Sequence, residues 1–473
     1  MASKKDLVEA HAFSRRRLVS AFLSGAPGGR EVEPARPGRS VFGGLVLAVL
    51  LIAGGAVAHF LSPKAATGWA DTDGLIVTKG GARYVVTGPD NDKELHPVVN
   101  LASAQLILGL DLEKRSKVID QEEIDNEFPQ ETIGISGPEV PEELPLESDF
   151  INTGWTACTA NGAGTFLNIS AKPDVKAATD TGFMVQTEEG NYLIAESRTD
   201  EGYAQAYSYK IEGDQETYAD RVFNDAPPTV KVPQSWVNLF PSGAPLGAEA
   251  FGSAYSKFGQ AVAGEDYPIG TRGIFDTKSY LLMESGWIRI SDFTAQVYDT
   301  ALQAAGKSVS LQSLDSGPQI NGDEPETLTS WPAEKLEAGT GSVCAKLETE
   351  DKTTVRLGVQ PGEGAWPASE PPEATDFTSA RVDPGKGAFV YAANGEKLDK
   401  KSATPYLIDA RGTVNTLDGK LTVERLELGP DSGPIVPGTW LQLLPRGAAL
   451  STDLALCPPT TGEVQESQCV ATE

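Results

Sequence analysis

The chain has 473 residues, a formal charge of −27 and a sequence pI of about 4.5, a sign that repels phosphate backbones and excludes nucleic-acid binding by the bulk of the protein. At roughly 150 residues per domain this length points to about three domains rather than one core, and 40% hydrophobic with 22% charged residues is the composition of a chain that folds. Histidine occurs only at His11, His59 and His96, which removes Ser-His-Asp, Cys-His and His-ligated zinc chemistry from everything beyond residue 96.

Residues 5–23, KDLVEAHAFSRRRLVSAFL, lack Pro and Gly and set Leu7, His11, Leu18 and Phe22 at near-helical spacing, so an amphipathic helix is expected inside an N-terminal segment 1–40. Such a helix could hold a partner subunit or lie on anionic headgroups through Arg15, Arg16 and Arg17; the alternative is that these arginines only fix topology. The next stretch, VFGGLVLAVLLIAGGAVAHFL at 41–61, carries no charge over twenty-one positions. At 1.5 Å per residue it matches a ~30 Å hydrocarbon layer and reads as a transmembrane helix. Residues 1–40 hold eight basic and four acidic groups, leaving 31 basic and 62 acidic groups, a net −31, on the other 433. The positive-inside rule then places the N-terminus in the cytoplasm and the large acidic part outside. The competing reading is a signal peptide cleaved near Ala56-Val57-Ala58; its leader would be too long, and its apolar run exceeds the usual ~7–15 residues.

Beyond the span the chain repeats itself. VPQSWVNLFPSGAPL (232–246) and VPGTWLQLLPRGAAL (436–450) agree at eight of fifteen positions with an offset of 204, and Trp236 and Trp440 coincide. A second pattern, a Gly with apolar followers and then Tyr with two aliphatics, occurs four times: at Gly74–Val77 with Tyr84–Val86, Gly182–Val185 with Tyr192–Ile194, Gly273–Asp276 with Tyr280–Leu282, and Gly387–Val390 with Tyr406–Ile408. Each apolar triplet suits a short strand and the polar residues between them suit turns, Lys79-Gly80-Gly81, Glu188-Glu189-Gly190 and Asn394-Gly395 among them. Four small hairpin units are expected, each packed on a short helix or a neighbouring copy, with Trp236 and Trp440 as anchors buried within their own repeats.

Cys158, Cys344, Cys457 and Cys469 all follow the apolar segment, as in an oxidising compartment, and four cysteines allow three connectivities. Cys457 and Cys469 lie twelve apart in a Pro-rich tail where a short loop closes easily, which pairs Cys158 with Cys344. Zinc is the competing use of four thiols, without a CxxC pair to support it. The strand-like segments around Cys158 and Cys344 then form one central domain with two repeats inserted between its halves. The expected fold class is α+β and β-rich: one transmembrane helix, then an elongated extracytoplasmic region of four hairpin/helix repeats around a central mixed domain. The boundaries are 65–145 for repeat 1 with its linker, 150–178 with 335–360 for the discontinuous central domain, 180–250, 268–330 and 385–455 for repeats 2 to 4, and 456–473 for a disulfide-closed tail. Pro-rich stretches at 129–145 and 361–384 mark boundaries.

Catalytic motifs are weak. The nearest approach to a P-loop, Ala301-x4-Gly306-Lys307-Ser308, lacks the first glycine, and a surface-turn lysine is the plainer reading. Acidic clusters Glu122, Glu123, Asp125 and Glu139, Glu142, Glu143, Glu147, Asp149 have the residue types for glycoside hydrolysis but the surroundings of a solvated face. Asp71-Thr72-Asp73-Gly74 opens like a calcium loop and lacks its later acids. No catalytic residue, metal or cofactor is assigned.

Several stretches together resemble the EccB family, the single-span membrane subunit of the actinobacterial type VII secretion system. They are HAFSRRRLVSAFL (11–23), ELHPVVNLASAQLILG (94–109), GISGPEVPEELP (134–145), GWTAC (154–158), WVNLFPSGAPL and WLQLLPRGAAL, in family order over roughly residues 11–450. The resemblance implies a cytoplasmic helix, one span in the cytoplasmic (inner) membrane, and periplasmic repeats around a disulfide-linked centre. The function it implies is non-enzymatic: docking of cytoplasmic machinery, including the motor ATPase subunit, through His11, Phe13, Arg15, Arg16, Arg17 and Leu18, and self-association of the periplasmic part to shape an exit route. Members are sometimes labelled ATPases, a label the missing Walker A motif does not support. The alternatives are a peptidoglycan-binding membrane protein and an extracytoplasmic ATPase or hydrolase.

Overall fold

A computed structural model describes residues 3–24, 44, 46–49, 69–70, 73–89, 92–125, 129–160, 162–199, 201–360, 378–393, 400, 403–429 and 431–459. The apolar segment 41–61 therefore lies mostly outside the described residues, and among those described no helix is long and apolar enough to cross a membrane. Residues 1–67 and 68–473 form two separate compact parts. The first contributes helix α1 (Lys4–Ser24). Its start is a reciprocal cap legible in Ser-Lys-Lys-Asp: the Asp6 amide donates to Ser3 Oγ at 3.3 Å while the Ser3 amide donates to Asp6 Oδ2 at 2.9 Å.

The second part is a β-rich mixture of strands and short helices, with its strands in five sheets among the described residues. In chain order it begins with β1 (Gly74–Thr78), β2 (Arg83–Thr87), β3 (Glu94–Pro97), helix α2 (Leu101–Leu108) and β4 (Ser116–Ile119), here module 1. Strands β5 (Trp155–Thr159), β6 (Thr165–Ile169) and β7 (Lys176–Ala177) follow. Module 2 is β8 (Thr181–Thr187), β9 (Gly190–Arg198), β10 (Ala204–Lys210), α3 (Gln215–Val222), β11 (Val230–Lys231) and α4 (Gln234–Val237). Module 3 is β12 (Arg272–Phe275), β13 (Lys278–Met283), β14 (Gly286–Ile290), α5 (Asp292–Ala304) and β15 (Leu311–Ser313). Next come β16 (Glu337–Ala338), β17 (Ser342–Glu348), β18 (Thr354–Gln360) and β19 (Thr378–Val382). Module 4 is β20 (Ala388–Ala393), β21 (Thr404–Ile408), β22 (Val414–Leu417), α6 (Lys420–Arg425), β23 (Ile435–Pro437), α7 (Gly438–Leu441), β24 (Arg446–Leu450) and α8 (Thr452–Ala455).

The four modules share one connectivity. Three antiparallel strands form a meander, a helix crosses one face, and a fourth strand returns parallel to the first on its free side, giving the orders β3-β2-β1-β4, β10-β9-β8-β11, β14-β13-β12-β15 and β22-β21-β20-β23; β24 adds to the last and β16 pairs with β8. Three of the crossover helices start at capping side chains, Asn100, Asp214 and Ser291, each accepting from the amide three residues on. The meander's third strand and the parallel fourth go beyond the expected hairpin. The fourth has only two to four residues in each module and leaves no period-2 signal.

A six-stranded sheet, ordered β19-β6-β5-β17-β18-β7, joins segments on either side of modules 2 and 3. It takes in β19, from within the Pro-rich stretch read as a boundary. Alternate residues of the module strands feed different cores. Phe183 and Val185 of β8, and Ala388 and Val390 of β20, face a core shared with Trp155, Leu167, Val343 and Leu357 of the central sheet. Met184 joins a core shared by modules 2 and 3, and Phe389 one shared by modules 1 and 4. Burial on both faces explains why these strands read as continuous apolar triplets instead of alternating.

Candidate functional site

Helix α1 carries the six residues expected to dock a partner, and all six are exposed. At about 100° per residue, Leu7, His11, Arg15, Leu18 and Phe22 fall within roughly a quarter of the circumference. Phe13 and Arg17 project from another side and Arg16 from the side opposite Leu7. The helix thus brings His11, Arg15 and Leu18 together and separates them from Phe13, Arg16 and Arg17. Phe22 is 94% exposed and Leu18 70%, so no described residue covers the apolar stripe.

The stretch ELHPVVNLASAQLILG builds a buried polar staple. Asn100 Oδ1 accepts from the Ser103 amide at 2.8 Å and the Ser103 hydroxyl at 2.7 Å, while Asn100 Nδ2 donates to Ile135 O at 2.9 Å and the Ile135 amide to Ser103 Oγ at 3.0 Å. Further along the helix, Gln105 Nε2 donates to Leu110 O and Leu144 O, both at 3.0 Å, and its Oε1 accepts from the Leu144 amide at 2.7 Å. The helix therefore pins GISGPEVPEELP across itself, which ties the second and third family stretches into one structure. That linker also reaches module 4: Arg411 holds buried Asp409 through Nε at 3.0 Å and donates to the carbonyls of Pro138 and Glu139, and the Gly134 amide donates to Cys457 O at 2.9 Å. His96 is engaged by Glu131 O at Nδ1 and by Glu94 at Nε2. Asn100, Ser103, Gln105 and Arg411 were missed as determinants; for Ser103 and Gln105 the signal was a polar type inside an apolar helix, and Arg411, in the turn between β21 and β22, carried none.

Cys158 and Cys344 sit opposite each other on β5 and β17 and are joined by a disulfide, with Cα atoms 4.0 Å apart across a sequence separation of 186. The pairing of Cys457 with Cys469 lies outside the described residues, since Cys469 is not among them; no described cysteine is a free thiol. Trp236 and Trp440 lie in the short helices α4 and α7 that follow β11 and β23, and both are fully buried. Burial within their own repeats is too narrow a description. Trp236 Nε1 donates to Ala157 O of β5 at 2.8 Å, and both rings belong to the core that includes the central sheet. A neighbouring contact has the same direction: Glu196 of β9 makes a two-pronged ion pair with Arg356 of β18, at 2.8 and 3.0 Å, and accepts from the Leu357 amide.

The candidate chemical groups are either engaged by neighbours or exposed. Lys307 lies 4.1 Å from the centroid of the Tyr255 ring and 5.1 Å from that of Phe258, and donates to Tyr255 O. Glu122, Asp125, Glu139, Glu142, Glu143 and Glu147 are exposed, Glu142 pairs with Arg83, and Asp149 with Lys386 at 2.6 Å. Among the described residues no group of three His, Cys, Asp or Glu side chains could hold a metal, and Asp71 lies outside them.

With this geometry in view, the sequence profile described as "Type VII secretion system ESX-1, transport TM domain B" matches residues 1–460. The chain belongs to the EccB family. As a member it is a membrane subunit of a type VII secretion system. It is 26% identical, over 454 residues covering 88% of this chain and 87% of the relative, to the ESX-1 secretion system ATPase EccB1 of Mycolicibacterium smegmatis (strain MKD8). Its fold is similar to a chain of an intact ESX-5 inner membrane complex, with a TM-score of 0.57, 19% identity and coverage of 100% of this chain and 99% of the other. It is also similar to a chain of an EccB3 dimer from an ESX-3 core complex, with a TM-score of 0.57, 20% identity and coverage of 81% and 100%.

Proposed function

We propose that this EccB-family chain is a non-enzymatic structural subunit of a type VII inner membrane complex, anchored by one span at 41–61 with its N-terminus in the cytoplasm. Helix α1 docks the cytoplasmic machinery, including the motor ATPase subunit, through the exposed stripe of His11, Arg15 and Leu18 and its flanks Phe13, Arg16 and Arg17. The four modules are copies of one unit around the central disulfide-linked sheet, and through them the extracytoplasmic part associates with a second copy and shapes the exit route. The observation that carries this reading is the family match over 1–460. The fold likeness to chains from an inner membrane complex and from a dimer supports partners of both kinds. The relative's name contains "ATPase". Here the one lysine in a P-loop-like setting is spent on two aromatic rings, and position 301 is alanine where the loop needs glycine for close backbone approach to phosphate.

Purification from the native membrane through a tag on this chain, followed by mass spectrometry and electron microscopy, tests the proposal. Other secretion subunits and a second copy of this chain are expected. Recovery of the chain always alone would overturn it.

A further inference from the structure

A cleft between modules 1 and 4 carries chemistry that the scaffold role does not use. Two adjoining cavities, each of about 270 Å³, share Leu108, Arg115 and Arg425. Arg115 is held at the end of α2 by donating from Nη1 to Leu108 O, the C-terminal carbonyl end where a cation is favoured. The three carboxylates lining the cleft are matched: Asp73 pairs with Lys93 at 2.8 Å, Glu424 with Lys420 at 3.2 Å, and Glu427 lies 3.9 Å from Arg115. Arg425 has no ion pair among the described residues, and the first cavity sets two guanidinium groups, Arg115 and Arg425, against one carboxylate, Asp73, in an extracytoplasmic part whose net charge is otherwise strongly negative. Leu421, 47% exposed, and Leu456 supply an apolar flank.

We infer that this cleft binds a small phosphate-class anion, its oxygens shared between the Arg115 and Arg425 guanidinium groups and its apolar remainder laid against Leu421 and Leu456. Planar guanidinium forks are suited to such oxyanions. Free phosphate and a phospholipid headgroup present the same group, so two probes separate them. The full chain in detergent is titrated calorimetrically with inorganic phosphate and, separately, with micelles of a short-chain phosphatidylglycerol. Saturable binding of phosphate assigns the free anion, and saturable binding of the lipid alone assigns the headgroup. In either case Arg425→Gln is expected to weaken binding roughly tenfold or more, through loss of a charge-assisted bond. Its melting temperature without added anion should stay that of the parent, because Arg425 supports no other described group. No saturable heat with either probe, or equal binding by Arg425→Gln, overturns the site.

Discussion

The glycines that open the second, third and fourth repeats are fixed by what lies over them. At Gly182 a Cβ would sit 2.7 Å from Leu336 Cδ1 and 2.9 Å from the Phe223 ring, and at Gly273 2.6 Å from Leu314 Cδ1. Gly182→Ala is therefore expected to cost about 1–3 kcal/mol by overpacking, whereas Gly80→Ala, whose nearest neighbour would be Thr78 Oγ1 at 3.7 Å, should be close to neutral. Urea denaturation of the two variants against the parent measures the difference, and equal midpoints would contradict it. The two matching tryptophans are not equivalent either. Trp236 Nε1 has its acceptor on Ala157, but Trp440 Nε1 is buried without one. Trp→Phe shrinks both rings, yet only at 236 does it remove a made hydrogen bond, and at 440 it removes an unpaired donor. Trp236→Phe is expected to be the more destabilising by about 1–3 kcal/mol, read from the same denaturation curves.

At the scale of elements, the sequence marked the first two strands of every module and little else. Gly74–Val77 lies in β1, Tyr84–Val86 in β2, and the later triplets lie in or overlap β8, β9, β12, β13, β20 and β21, because residues buried on both faces must be apolar in a run. The match of Trp236 with Trp440 is confined to modules 2 and 4 for a related reason: these two pack on the central sheet. The polar staple and the Glu196–Arg356 pair were not legible, since nothing local distinguishes a buried glutamine or glutamate from an exposed one until the partner strand is placed. The residues of α1 proposed to dock a partner were read as one set, and helical geometry divides them. The core between modules 2 and 3 has its own chemical signature. Burial first, and then Glu212, push the Tyr218 phenol to about 12, and burial likewise raises Tyr209 and Tyr298, aided by Tyr207 and Asp299 respectively. A phenol whose folded pKa exceeds its unfolded value of about 10 contributes stability below that value and loses it as pH climbs through the folded one. For Tyr218 the loss falls between about pH 10 and 12. Alkaline titration is expected to show tyrosinate absorbance and near-UV circular dichroism changing together in that window, with Tyr218→Phe moving the transition upward. Ionisation of these phenols in a still-native protein would refute the account. Because the Tyr218 hydroxyl is buried without a partner, the same variant should cost little at neutral pH.

Across the whole molecule, the disulfide joins the two halves of the central sheet over 186 positions. In the chain-entropy view its loss releases a long loop in the unfolded state, so Cys158→Ser with Cys344→Ser is expected to lower stability by about 2–5 kcal/mol. Thermal unfolding of the double variant checks this; an unchanged midpoint would mean that the β5–β17 pairing alone fixes the sheet. The cores themselves are nested like brackets. Modules 2 and 3 share a core between residues 184 and 336, the central sheet closes around them with strands from 155 to 382, and modules 1 and 4 share the outermost core from residue 75 to 455. Nesting imposes an order in time. A chain that emerges from its N-terminus presents module 1 first, yet that module's partner surface arrives last, so its apolar residues wait while some three hundred residues pass. The innermost pair is complete soonest, since contacts close in sequence cost least chain entropy to close. Pulse-labelling hydrogen exchange should therefore protect β8–β10 and α5 before β1, β2 and α2, so that module 1 is the last to become native. A chain halted before module 4 is made would hold module 1 open, a ready substrate for proteases and a reason for chaperones to attend this end of the chain.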